Sequence, residues 1–336
     1  MKHIVDGITH KALDPDLYQK VVDAQQEEVK ISQLTPYRQI AYLWAIVYCS
    51  ILVVVSLPIK LLWKIPVNSI YNKLANIYYW VPEMALHKGI ELEAYLQHKY
   101  VGKGLDLGCG NGLVGGILIE FGGLSELHGV DLHEHNQTLA LENGYASFTT
   151  GDIQSLPYPD RSFDYAISIC VIEHIPNLIQ SLSEINRVLK PGGRLFFSTP
   201  SPLFRESTLG YRFFKFIGMH KKAEAFKLQK DINSVQYHYL SPIEWDNTLK
   251  ETGFDDIEVQ GIFSRFQLLI YDLLNIQVNW LRIYFADKLC VFLFHHPKFK
   301  KIMIDVTERI SAYFSKKEVE ILNATHYFIS CSKERY

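Results

Sequence analysis

Two hydrophobic patterns divide the chain. From Ile40 to Ile59 it reads IAYLWAIVYCSILVVVSLPI, with no charge between Arg38 and Lys60. A helix of about 20 apolar residues is long enough to cross a bilayer core. Tyr42, Trp44 and Trp63 stand near the two ends, where interfacial aromatics are expected. Pro58 suits a helix terminus better than a helix centre. The pattern predicts a transmembrane or membrane-anchoring helix over 39–64; the other reading is a helix wholly buried in a soluble fold. Arg38 on one flank balances Lys60 and Lys64 on the other, so the basic residues set no orientation. The preceding residues 1–38 are polar, and Asp14-Pro15-Asp16 reads as the start of a surface helix. No apolar run lies near Met1 in the manner of a secretory signal.

From about Asn68 to Lys99 the rhythm is helical and amphipathic, with Ile90, Leu92, Tyr95 and Leu96 on one apolar side. Between Lys103 and Pro200 short apolar strands then alternate with helical stretches. Strands are predicted around Leu105 and over 127–132, 146–150, 165–170 and 194–199. Helices are predicted over 113–121, 134–143 and 178–189, the last with Leu178, Leu182, Ile185 and Leu189 on one face. Pro191-Gly192-Gly193 is expected to stop that helix and turn. This alternation is the pattern of a parallel sheet with helices on its faces.

Candidate chemistry begins where the first strand meets its helix. Gly104-Leu105-Asp106-Leu107-Gly108-Cys109-Gly110-Asn111-Gly112 lets the backbone turn sharply and approach a ligand closely. Its spacing is G-x-G-x-G, shorter than the G-x-G-x-x-G of dinucleotide enzymes, and no G-K-[ST] follows as in nucleotide hydrolases. About twenty residues on, Asp131 ends the second strand, where an acid can accept hydrogen bonds from both hydroxyls of a ribose.

Together these segments resemble the class I S-adenosylmethionine-dependent methyltransferases. Asp106 to Gly112 looks like the first motif of that family, and Gly129-Val130-Asp131 like the segment after it. Gly151-Asp152-Ile153 matches the adenine position. Leu156 to Asp164 resembles the family's LPF-x-D-x-SFD run. Ser168 to His174 resembles its S-x-x-VLEH strand end, and Glu184 to Gly193 matches E-x-x-RVLKPGG. The matches fall in order at family spacing across Gly104 to Pro200. The resemblance implies a Rossmann-like α/β fold with a seven-stranded sheet, mostly parallel with its last strand antiparallel. It implies S-adenosylmethionine as cofactor and S-adenosylhomocysteine as product. The first loop, through Gly108, Cys109, Gly110 and Asn111, would hold the methionine part, with Asp106 orienting the loop and the amino group. Asp131 would hold the ribose, with Leu132 beside it. Asp152 and Ile153 would flank the adenine, and Ile169 and Cys170 would lie under the cofactor near the transferred methyl. Asp164 reads as a residue that orders a turn.

Beyond Pro200 the resemblance divides the remaining methyltransferase domain, 65–336, into expected elements and insertions. Residues 201–239 form an insertion rich in Phe and Lys, with Phe213, Phe214, Phe216 and Phe226. His238 to Trp245 resembles the start of the next helix, which ends at Glu251-Thr252-Gly253-Phe254. Asp256 to Ile262 and Thr325 to Ser332 match the last two strands, so about 264–323 is a second insertion. That insertion is apolar and aromatic. Its charges, Asp272, Arg282, Asp287 and Lys288, argue against a second spanning helix. A membrane-lying amphipathic helix, a lid and an added helical layer all remain open. Lys298, Lys300 and Lys301 beside Phe299 suit anionic head groups or a solvated turn.

The acceptor is less legible. A net charge of −2 advertises no basic surface, so nucleic acid is not an expected partner. Cys49, Cys109, Cys170, Cys290 and Cys331 are too scattered for a disulfide framework or a zinc cluster, so no metal is expected and reduced thiols in a cytosolic compartment are. A hydroxyl acceptor of high pKa needs a general base, for which His174 and His238 are the first candidates and Glu173 and Tyr239 the second. No N-P-P-Y motif follows strand four, which leans toward oxygen or carbon acceptors. The apolar run and insertions favour a membrane-attached enzyme, its catalytic domain facing the cytoplasm, acting on a small molecule, a lipid or a lipid-linked glycan. The alternatives are a soluble cytoplasmic methyltransferase of a polar metabolite and a non-enzymatic cofactor-binding protein.

Overall fold

A computed structural model describes residues 69–78, 81–284, 297–315 and 319–335. The polar segment 1–38 and the proposed anchor 39–64 lie outside the described residues, as does Phe285. Two helices open the described chain, α1 (Ser69–Tyr78) and α2 (Pro82–Tyr95). The alternating core follows: β1 (Lys103–Leu107), α3 (Leu113–Gly122), β2 (Glu126–Asp131), α4 (Gln137–Glu142), β3 (Ser147–Thr150), β4 (Phe163–Ile169), α5 (Leu178–Val188) and β5 (Leu189–Pro200). The first insertion folds as α6 (Pro202–Ser207), α7 (Leu209–Phe216) and α8 (His220–Asn233). Then come α9 (Pro242–Glu251), β6 (Phe254–Ser264), α10 (Arg265–Tyr284), α11 (Pro297–Ser315) and β7 (Ala324–Lys333).

The seven strands form one sheet in the order β3-β2-β1-β4-β5-β7-β6. β1 to β5 are mutually parallel, and β7 runs antiparallel between β5 and β6. The Rossmann-like methyltransferase sheet expected from the sequence is therefore present. Both of its faces are buried. One carries Leu74, Leu86, Tyr95, Ile117, Phe196 and Phe328; the other carries Leu105, Val130, Ile185, Phe197, Trp245 and Ile329. Enclosure on both sides is why the central strands read as near-continuous apolar runs. The strand order reverses between β1 and β4, and in such sheets ligands bind beyond the strand C-termini at that point.

Several expectations change in detail. Pro191-Gly192-Gly193 does follow the end of α5, but β5 already begins at Leu189. Leu189 pairs with Phe163 and Arg194 with Tyr165, across an irregularity that absorbs the PGG segment as a bulge. Gly192 takes φ +75° there, a backbone region glycine adopts without cost. The helix expected over 134–143 is a 3-10 turn (Glu134–Asn136) followed by α4. The amphipathic stretch over 68–99 is two helices, and α2 is enclosed almost all round, its Glu83, Lys88 and Glu91 included. That enclosure comes from α1, α10 and α11, so the described part of the second insertion is a helical layer over α2. Among the described residues no helix is long and apolar enough to cross a membrane.

Candidate functional site

The glycine loop sits at the C-terminal end of β1, tied to the end of β2. Gly108 and Cys109 donate their N–H groups to the Val130 carbonyl at 2.8 and 3.1 Å, and Gly110 donates to Asp131 Oδ2 at 2.9 Å. Gly108 and Gly110 of this loop take left-handed backbone angles. Gly108 has φ +72°, and a Cβ there would lie 2.5 Å from Val171 Cγ1. Gly110 has φ +53° and nothing within 4 Å of where a Cβ would stand, so its backbone is bare on that side. A backbone bent and bared in this way fits close approach by a ligand.

Asp131 anchors the loop as well as ending β2. Its Oδ1 accepts from the His133 N–H at 2.9 Å and from Asn136 Nδ2 at 3.3 Å. Each carboxylate oxygen can accept more than one hydrogen bond, so capacity for ribose hydroxyls remains. Leu132 beside it is 65% exposed, a large apolar side chain left open next to the acid. Ile153 is buried, and Asp152 is exposed with its Oδ1 accepting the Gln154 N–H at 2.9 Å. Asn111 is exposed and caps the loop, its Oδ1 accepting the Leu113 N–H at 3.1 Å. These residues fit the cofactor the sequence implies.

Two predicted residues lie beneath the loop. Asp106 is buried, and its Oδ2 accepts a 2.5 Å hydrogen bond from Tyr145. Burial pushes its carboxyl up to about 7; the Tyr145 hydroxyl draws it down and the charge of Asp131 pushes it further up. The Cys109 side chain is half-buried, and a Cβ on Gly129 would lie 2.6 Å from its sulfur. Cys109 thus faces the ligand side through its backbone alone.

Past β4 the chain enters a charged cluster. Cys170 takes φ +54°, a costly conformation for a side-chain-bearing residue, held by its N–H donating to Ser198 Oγ at 3.2 Å. Its Sγ donates to Glu91 Oε1 at 2.7 Å, and Ser198 Oγ donates to the same oxygen at 2.7 Å. Glu91 Oε2 receives Lys88 Nζ at 2.6 Å and lies 3.3 Å from His87 Nδ1. Burial alone would neutralise Glu91, but the charges of Lys88 and His87 and the hydrogen bonds from His87 and Cys170 together outweigh it and hold the carboxyl well below the usual range. Burial likewise opposes the Lys88 ammonium, and Glu91, with Cys170 and Tyr78, outweighs it and raises its pKa. Donor atoms of His87, Glu91 and Cys170 lie within 4.8 Å of one another, a spacing a cation suits, and the Lys88 ammonium stands against the same carboxylate. Aromatic rings crowd this cluster. His87 packs 5.8 Å from Tyr271, 5.4 Å from Phe263 and 5.1 Å from His326, and Phe204 packs 5.0 Å from His326. Burial drives the His326 imidazole well below its usual range, so it is neutral.

Glu173 is 1% exposed in the 3-10 turn Ile172–His174, and its Oε2 has no hydrogen-bond partner. Burial pushes its carboxyl up to about 8; its own backbone N–H draws it down and the Glu91 charge adds to the rise. His174 Nδ1 lies 3.1 Å from the Val235 carbonyl, and its pKa is lowered chiefly by burial. His238 Nε2 lies 2.8 Å from the Ile175 carbonyl, and Tyr237 N–H donates to the Glu173 carbonyl at 2.9 Å. The two predicted histidines are thus brought to one seam, each with one ring nitrogen committed to a backbone carbonyl. Tyr239 donates to Asp231 and Gln236, and burial raises its pKa.

Sequence reasoning missed His87, Lys88, Glu91 and His326. The i,i+3 and i,i+4 spacing of the first three is the usual mark of a solvated helix face, which is the opposite of what α2 presents. Asp164, read from the sequence as ordering a turn, lies instead within β4; it accepts from the Lys103 N–H at 2.8 Å and from Lys190 Nζ at 2.7 Å and so ties β1, β4 and β5 together.

Comparison with known proteins adds a family to this geometry. The family described as "Methyltransferase domain" matches residues 105–197. A demethylmenaquinone methyltransferase of Staphylococcus aureus is 30% identical over 174 residues, covering 47% of this chain and 70% of that protein. An uncharacterized protein of Methanocaldococcus jannaschii is 29% identical over 201 residues, covering 58% of this chain and 86% of that protein. Among solved structures, phosphoethanolamine N-methyltransferase 2 of Haemonchus contortus with S-adenosyl-L-methionine shares 22% identity, covers 73% of this chain and 51% of that chain, and gives a TM-score of 0.42. The chain belongs to the class I S-adenosylmethionine-dependent methyltransferases. It is an enzyme, and its cofactor is S-adenosylmethionine.

Proposed function

We propose that this chain methylates a lipid or lipid-linked small molecule at oxygen or carbon while attached to a membrane. The observation that carries the reading is the aromatic, largely dry surround of Cys170. His87, Tyr271, Phe263, His326 and Phe204 gather there around one buried ion pair. Such a wall suits an acceptor with a large apolar part and few polar contacts. The name of the Staphylococcus aureus relative, whose substrate is demethylmenaquinone, points the same way. The apolar run Ile40–Ile59 supplies the attachment, with the catalytic domain on the cytoplasmic side where the cofactor is found.

When bound, S-adenosylmethionine supplies a methyl group activated on a sulfonium. In this reading the protein's part is to position the groups and exclude water. The backbone of Gly108 to Asn111 would hold the methionine part, with Asp106 supporting the loop. Asp131 would accept from the ribose hydroxyls with Leu132 beside it, and Asp152 and Ile153 would flank the adenine. Ile169 and Cys170 would line the reacting end. Where the acceptor is a hydroxyl, Glu173 in its ionised form takes the proton on the carboxylate oxygen that has no partner; the carboxyl titrates near 8, so transfer to a hydroxyl should rise with pH up to that value. His174 and His238 hold the 235–238 segment against the turn that carries Glu173.

The test is to incubate the full chain with methyl-labelled cofactor and membranes from its own source, then extract with organic solvent. Asp131→Ala protein serves as background. Label in the organic phase is expected. Label in the aqueous phase alone would replace this reading with a soluble metabolite, glycan or macromolecule as acceptor. No transfer to any fraction would refute an acceptor in these membranes.

A further inference from the structure

The first insertion ends in a feature that methyl transfer does not use. α7 and α8 fold back on each other through a turn in which Gly218 takes φ +76°. Their inner face is tightly packed. Tyr211 and Ala223 are buried, Phe214 and Phe226 lie 6.0 Å apart, and a Cβ on Gly210 would meet the Phe226 ring at 2.3 Å. The outer face and tip are apolar but uncovered: Phe216 is 88% exposed, Phe213 55%, and Ile217 and Met219 44% each. Single exposed apolar residues are ordinary, but four within seven positions on one projecting tip are not.

The charges around this tip have one sign. Residues 209–222 read LGYRFFKFIGMHKK, with Arg212, Lys215, Lys221 and Lys222 and no acid. All four cations are exposed. The nearest acid in sequence, Glu224, is engaged, accepting from Tyr211 at 3.0 Å and from Lys227 at 2.6 Å. Aromatic and aliphatic side chains flanked by exposed lysines and an arginine are the chemistry of a surface that lies in a lipid headgroup layer. Apolar groups enter the acyl boundary while the long basic side chains reach back to phosphates.

We infer that the α7–α8 tip docks on a bilayer carrying anionic lipids, as a contact separate from the apolar run Ile40–Ile59. The exposed cations of 209–222, with no acid among those residues, match a negatively charged leaflet. The inner end of the same insertion supplies Phe204 to the aromatic group around His326, and the segment after α8 is bonded to the turn bearing Glu173. Docking at the tip would therefore set the acceptor side of the site near the membrane surface. The inference stands whether or not the acceptor is a lipid, because it rests on the surface alone.

Hydrogen exchange measured by mass spectrometry on the full chain reads this region locally, whatever else anchors the protein. Vesicles of phosphatidylglycerol mixed with phosphatidylcholine should slow exchange across 209–222, and pure phosphatidylcholine vesicles should do so much less. Added salt should reverse the protection, because screening weakens the lysine–phosphate attraction. Phe213→Ser with Phe216→Ser, and separately Lys215→Glu with Lys221→Glu and Lys222→Glu, should each raise the lipid concentration for half-protection at least about tenfold. S-adenosylmethionine affinity, measured alongside, should stay unchanged and so report an intact fold. Unaltered exchange over 209–222 while the chain is vesicle-bound would overturn the inference. So would equal protection by both vesicle types, or protection that grows with protein concentration without lipid, which would make the tip a contact between copies of this chain.

Discussion

Replacing Glu173 by glutamine tests the electrostatics of the site without any knowledge of the acceptor. Glu173 is enclosed by Lys88 and Glu91 from α2, by Cys170 and His174 of its own turn, and by Tyr239 of the 235–239 segment. Its carboxyl ionises near 4.5 when free and near 8 in the fold. Between those values the native state holds a proton that the unfolded chain has lost, so stability falls as pH rises. The penalty is absent below pH 4.5 and complete above pH 8. One proton is worth about 1.4 kcal/mol per pH unit inside that window, so integration from pH 6 to pH 8 gives a loss of about 2 kcal/mol. Glu173→Gln removes the titration. Its amide can cost stability through an unmet hydrogen bond, but that offset does not vary with pH. Asp106, also raised, is common to both proteins and cancels in the comparison. Urea unfolding of both chains in mild detergent, followed by far-ultraviolet circular dichroism at several pH values across that range, measures the difference. The parent should lose about 2 kcal/mol more than the variant between the two ends. Parallel pH profiles would refute the raised carboxyl and with it the assignment of Glu173 as the proton acceptor.

Three further outcomes follow from particular contacts. Asp131→Ala removes the proposed ribose acceptor together with the anchor of Gly110, and should weaken S-adenosylmethionine binding by roughly 10- to 100-fold in calorimetry; unchanged affinity would sink the ribose role. Gly108→Ala forces a Cβ to within 2.5 Å of Val171 at φ +72°, and thermal unfolding should show a loss of about 1–3 kcal/mol along with weaker cofactor binding. Glu91→Gln strands the buried Lys88 ammonium, and should cost about 3–5 kcal/mol in thermal or urea unfolding, largely recovered by adding Lys88→Met; a stable single variant would mean that the pair is not buried as described.

The glycine loop and its partner acid were legible because they are local. A strand, a bend that needs glycine and a strand-ending acid are properties of short segments, and their order along the chain carries Asp106 to Gly112, Asp131 and Asp152 to one strand edge. The strand and helix rhythm between Lys103 and Pro200 was readable for the same reason. The PGG segment was not read in full, since a bulge is defined by the partner strand and Phe163 lies outside the segment it distorts.

The charged cluster around Glu91 belongs to the tertiary structure. Glu91 meets Cys170 and Ser198 across 79 and 107 residues, and no spacing rule spans such distances. Nor did the pattern of α2 foretell its burial. Its apolar side was visible, but the charges opposite it looked solvated until α10 and α11, nearly 200 residues further on, closed over them. His174 and His238 were singled out by residue type, and only the pairing of two loops revealed that each bonds a backbone carbonyl. By itself the sequence determined the alternating sheet and the glycine loop, because burial on two faces and φ-permissive turns are written in consecutive residues, and the family resemblance carried the cofactor with it. The folded chain decided which charges lose water, because desolvation depends on whatever packs from elsewhere, and that loss of water sets the protonation of Glu173 and the ion pair of Lys88 with Glu91.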